Sequence, residues 1–142
     1  MKTLGILLTL SSLLASVSFA GESTPWVGDY LGRILKSSNA PIKYDDVILQ
    51  ISSTNDVELK LMDAEGFGDN LVLTFPAASD ASFSDVKFIA SKALGPGRTS
   101  TITLELLSDG TFSGTLVHDL EGSVEAPVSF RAFFRIVKMP AL

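Results

Sequence analysis

The stretch Trp26-Val-Gly-Asp-Tyr-Leu-Gly-Arg-Ile-Leu-Lys36 decides the fold, because it satisfies two periodicities at once. Trp26, Val27, Tyr30, Leu31, Ile34 and Leu35 recur at helical spacing, with Thr24 as a possible cap and Pro25 as a first helical residue. Gly28, Tyr30, Gly32 and Ile34 also alternate with Asp29, Leu31 and Arg33 as a strand's residues do. Two glycines each cost about 1 kcal/mol inside a helix. Val27, Tyr30 and Ile34 favour extended backbone. The strand therefore wins, and a β-bulge at a glycine would bring apolar residues to both faces.

Alternation continues down the chain. Val57, Leu59 and Leu61 face one way against Glu58 and Lys60, and Ile102, Leu104 and Leu106 oppose Thr101, Thr103 and Glu105. Leu71, Leu73 and Phe75 form a third set, and Val128, Phe130, Ala132, Phe134 and Ile136 a fourth, against Ser129, Arg131, Phe133 and Arg135. Val47/Leu49/Ile51 and Val86/Phe88/Ala90 repeat the pattern. Period-2 alternation is the mark of half-buried antiparallel strands. Asp109-Gly110 between two runs is a hairpin signal. Stretches 53–56, 63–70, 76–82, 92–98 and 119–127 read as connections. The expectation is all-β: an eight-stranded antiparallel meander closing into a small barrel, or a related sandwich, with the opening stretch as first strand.

Residues 1–20 carry Lys2, an apolar run from Leu4 to Leu14 and a small-residue ending at Ala20. That is the layout of a cleaved secretory signal peptide, and the run is short of the roughly 20 residues of a membrane span. Residues 21–142 then form one domain, with no transmembrane helix, in a secreted or periplasmic setting. The 142-residue chain has 11 Lys+Arg against 16 Asp+Glu, a formal charge of −5, and no basic cluster along its length. Such a balance argues against nucleic acid or anionic lipid as partner. Without cysteine there is no disulfide framework, so packing alone holds the domain.

Gly28-Asp29-Tyr30 near the start, the long meander and an arginine-bearing last strand resemble the calycin group, the lipocalin- and avidin-type barrels. The resemblance implies that Gly28 and Tyr30 pack against Arg131 or Arg135 to close the barrel. It departs from the group in that the usual tryptophan position holds Tyr30, while Trp26 precedes the glycine.

The inward faces are apolar and offer no convergent catalytic set. The one histidine, His118, lies in phase with Phe112 and Leu116 and next to Asp119. It is either a base or ligand contact at a barrel mouth or a solvated strand end. No Gly-x-Ser-x-Gly elbow supports a hydrolase. The loop Asp63–Asn70 is rich in oxygen donors, yet its spacing matches no calcium loop, and no metal or cofactor is expected. Phe67 at its centre is a candidate contact residue.

The expected function is non-enzymatic binding. Trp26, Tyr30, Phe75, Phe88, Phe112, His118 and Phe134 would line a site for a small apolar ligand, since an eight-stranded barrel either fills itself or holds one such molecule. The alternative is a filled core with Phe67, Leu94 and Val124 contacting an envelope protein. An outer-membrane barrel and a hydrolase using His118 are the weaker readings. The former would set Glu58, Lys60, Arg131 and Arg135 against lipid.

Overall fold

The computed structural model describes residues 25–76, 80–120 and 128–140. The expected signal peptide and Val124 lie outside the described residues. Nine strands follow in order: β1 (Gly28–Ser38), β2 (Tyr44–Ile51), β3 (Val57–Asp63), β4 (Leu71–Phe75), β5 (Asp80–Phe83), β6 (Lys87–Gly95), β7 (Arg98–Leu106), β8 (Phe112–Leu120) and β9 (Val128–Lys138). No helix occurs among the described residues. All pairings are antiparallel and make one sheet of order β4-β3-β2-β1-β9-β8-β7-β6-β5.

The sheet curls into a half-barrel. Each strand bonds to its chain neighbour except β4 to β5, and β1 bonds to β9 instead. The two edges curl toward each other: β4 touches β6, and Lys92 Nζ of β6 stands 5.4 Å from the centre of the Phe75 ring of β4. Eight strands were expected. The ninth is β5, Asp80–Phe83, whose first three residues fall in a stretch that reads as a loop because Asp80, Ala81 and Ser82 show neither alternation nor a strand-favouring side chain. Its partner β6 imposes the extended form through the Asp80–Ser91 to Phe83–Phe88 register.

The core lies on the concave face. Val47, Leu49 and Ile51 of β2, Val57, Leu59 and Leu61 of β3, Phe88 and Ala90 of β6, Ile102 and Leu104 of β7, and Phe130, Phe134 and Ile136 of β9 are all buried. The opening stretch is strand from Gly28 onward, but its bulge falls at Leu35, between Ile34 and Lys36, rather than at a glycine. Gly32 has another use. A Cβ there would lie 1.9 Å from the Arg135 carbonyl oxygen, so the missing side chain lets β1 close on β9. At the Asp109-Gly110 turn, the amide of Leu107 donates to the Thr111 carbonyl at 2.8 Å, closing the expected hairpin.

Candidate functional site

The seven residues expected to line a ligand site are placed in three separate settings. Trp26, Tyr30, Phe88 and Phe112 form one aromatic cluster. The Trp26 ring lies 5.8 Å from Phe88 and 5.4 Å from Phe112, and Tyr30 meets Phe112 edge-on at 5.3 Å. The Trp26 indole N–H donates to the Ser84 carbonyl at 2.6 Å, and the Tyr30 hydroxyl donates to the Trp26 carbonyl. Burial pushes the Tyr30 phenol up to about 12. Trp26 is 1% exposed, so this cluster plugs one end of the half-barrel.

Phe134 and Phe75 sit elsewhere. The Phe134 ring occupies the place of a side chain at Gly114, where a Cβ would come within 2.0 Å of it. Phe75 lies under Lys92 at the seam between the sheet edges. Phe75 borders an open groove of about 600 Å³ with Ile51, Val57 and Glu58, whereas Tyr30 borders another of about 820 Å³ with Val27, Leu31 and Met139. The aromatic residues are thus buried in the core, and Phe75 and Tyr30 border different grooves.

His118 is in the third setting. It pairs across β8 and β7 with Ser100, which in turn lies opposite Lys92 of β6. His118 Nδ1 is 3.0 Å from the fully buried Ser100 Oγ. Burial first, then Lys92 and Arg98, hold the imidazole below its ordinary 6.5 and therefore neutral at pH 7. Asp119 follows on the opposite face of the strand. Its carboxylate accepts from the Thr99 amide at 3.0 Å and the Ser129 hydroxyl at 2.8 Å, and these bonds lower its pKa. A Ser-His-Asp relay is therefore not assembled: the serine and histidine meet, and the aspartate serves the sheet's other side.

The closing contact implied by the calycin resemblance is not formed. Tyr30 points inward, while Arg131 and Arg135 are exposed on the outer face of β9. Strand alternation gives the reason, since both arginines are out of phase with the buried Phe130, Phe134 and Ile136. Gly28 instead lies beside Lys138, whose ammonium donates to the Pro25 carbonyl at 2.8 Å.

Two surface features remain. The β3–β4 loop is organised by Asp63, whose carboxylate accepts from the amides of Glu65 at 2.9 Å, Phe67 at 3.0 Å and Asp69 at 3.4 Å. Phe67 stands at its tip, 77% exposed. Leu94 is half-buried within β6 and so is not a loop tip. The second feature corrects the expectation of no basic cluster. Arg33 and Lys36 of β1 and Arg131 and Arg135 of β9 gather on one outer face, because the β1–β9 register sets Arg33 against Arg135 and Lys36 against Phe133. The two strands are far apart in the sequence, β1 ending at Ser38 and β9 beginning at Val128, and only their pairing brings the charges together.

Among the described residues no group of three or more His, Asp or Glu is placed to hold a metal ion, and no helix is long and apolar enough to cross a membrane. Comparison with family models, with curated proteins and with solved structures finds no match for this chain.

Proposed function

We propose that this chain is a secreted or periplasmic, non-enzymatic domain that binds another protein through its outer surface and loops. The observation that carries this is the filled concave side. Trp26, Tyr30, Phe75, Phe88, Phe130 and Phe134 are all fully buried there, among leucines and isoleucines that are equally buried. A carrier needs space that such rings leave empty, and an interior at native packing density has none. The apolar-carrier function expected first from the aromatic set therefore gives way to the filled-core alternative.

Three further observations support the same function. The Ser100 hydroxyl is shut away from solvent beside His118, which leaves no accessible nucleophile there. The outer face carries Arg33, Glu58, Lys60, Arg131 and Arg135, and arginine or lysine against mid-bilayer lipid costs about 2–4 kcal/mol each. Phe67 is held out on a loop that Asp63 keeps in one shape, as a contact residue must be. Kinship with calycin barrels remains a proposal about descent of the fold, resting on the meander and on Gly28-x-Tyr30.

The test is direct. The purified protein lacking residues 1–20 is extracted with organic solvent for mass spectrometry, then titrated with a fluorescent fatty acid. No stoichiometric lipid and no saturable binding are expected. One apolar molecule per chain would restore the carrier function and overturn this one.

A further inference from the structure

The outer face of β1 and β9 carries an apolar knob among basic residues. The bulge at Leu35 turns that side chain outward, 66% exposed, next to Phe133 of β9 at 44%. Arg33 and Arg135 lie opposite each other to one side of the two, Lys36 lies opposite Phe133, and Arg131 stands two residues before Phe133 on β9. Like charges placed opposite each other across two strands destabilise a sheet, yet Arg33 and Arg135 are so placed. Each is drawn aside by an exposed carboxylate: Arg33 by Asp46 at 3.3 Å, Arg135 by Asp109 at 4.0 Å. Exposed pairs of this kind are weak, so both guanidiniums can transfer to other carboxylates at little cost. Exposed aromatic and arginine residues together are the composition of an interface centre.

The surface complementary to this one is on the same chain. The β3–β4 loop presents exposed Glu65 and Asp69 on either side of Phe67. Its three amide bonds to the Asp63 carboxylate fix the shape in which the tip is offered. In this chain Phe67 remains exposed, because β2 lies between β3 and β1 in the sheet and the loop does not cover its own β1–β9 face.

We propose that the β1–β9 face docks the acidic β3–β4 loop of a second copy of this chain. Phe67 seats against Leu35 and Phe133, and Glu65 and Asp69 face Arg131 and Arg135. A two-fold axis makes the contact twice, since each copy has one loop and one basic face. This rests on the surface-binding function above and names its partner.

Sedimentation velocity on the protein lacking residues 1–20, from about 10 µM to about 1 mM, measures the association. The expected result is a reversible dimer that weakens as salt rises from about 50 to about 500 mM. Arg131→Glu with Arg135→Glu, and separately Glu65→Lys with Asp69→Lys, each raise the dissociation constant at least about tenfold. Mixing the two charge-reversed proteins restores dimer formation, because both contacts are again complementary. Circular dichroism of each variant checks that it folds. A monomer throughout, or a dimer indifferent to both reversals, overturns the proposal. Binding of the monomer to phosphatidylglycerol vesicles, lost in Arg131→Glu/Arg135→Glu, overturns it in favour of a membrane surface. None of these results touches the filled core, which the solvent extraction and the fatty-acid titration test separately.

Discussion

Gly114→Ala is the sharpest probe of the concave side. A Cβ at residue 114 would lie 2.0, 2.4 and 2.5 Å from three carbons of the Phe134 ring, where ordinary contact begins near 3.4 Å. The ring must therefore shift by about 1.5 Å, and overpacking on that scale costs about 1–3 kcal/mol. Phe134 is fully buried and paired with Ile34 across β1, so neither side offers it room. Alanine also restricts the unfolded chain, which returns about 0.4–1 kcal/mol. The expected net loss is about 1–2 kcal/mol, read as a lower urea midpoint at unchanged slope. Phe134→Leu removes the obstructing ring. In the double variant the two losses should fall short of additivity by at least about 1 kcal/mol. A Gly114→Ala protein within about 0.5 kcal/mol of the parent, additive with Phe134→Leu, would refute the reasoning, because it means the ring swings into free space.

The other predictions concern the plugged end of the half-barrel and its histidine. Trp26 is the sole tryptophan, so its emission should be blue-shifted and resist acrylamide quenching until unfolding. Trp26→Ala should cost about 3–5 kcal/mol, measured in the same urea titrations followed by circular dichroism. The His118 pKa is depressed in the fold, so the unfolded chain binds more protons below the ordinary 6.5. Stability should therefore hold above pH 6.5 and fall as the pH drops below it toward the lowered value. In His118→Gln that part of the decline should vanish, leaving only the loss at lower pH, where Asp109 and Asp119 with their lowered pKa values take up protons. Equal slopes between pH 6.5 and 5 in both proteins would contradict the assignment.

Much of the fold was legible because burial on one face imposes a period of two. Val47/Leu49/Ile51, Val57/Leu59/Leu61 and Phe130/Phe134/Ile136 could be assigned to the inner face from alternation alone, and all are buried. Leu106 shared that phase yet is exposed, because the strand runs out at the hairpin. The opening stretch resolves as a strand on the cost of two glycines in a helix, and the apolar residues that break its alternation are Leu31, exposed on the outer face, and Leu35, the extra residue of the bulge. β5 is illegible because Asp80, Ala81 and Ser82 carry no period and Phe83 alone cannot set one, so only pairing to β6 extends them.

The candidate site divides in the same way. His118 could be put on the inner face from its phase, but its partner Ser100 depends on the β7–β8 register, which no local pattern encodes. The basic face was hidden for the same reason. Arg33 and Arg135 lie 102 positions apart in the sequence, and their meeting is a property of the β1–β9 pairing. For the aromatic residues, phase with the core marks burial and does not by itself separate a pocket lining from a packed core, because the two have the same composition.

The central claim is that the concave side has no room for a guest. Methyl-resolved NMR of the protein under xenon tests this most directly, as xenon enters dry apolar cavities. With a filled interior, the methyl groups of Leu49, Leu59, Leu104 and Leu116 show only the small linear shifts of weak surface contact. Saturable shifts at these four leucines would reveal a cavity among the rings and contradict the account.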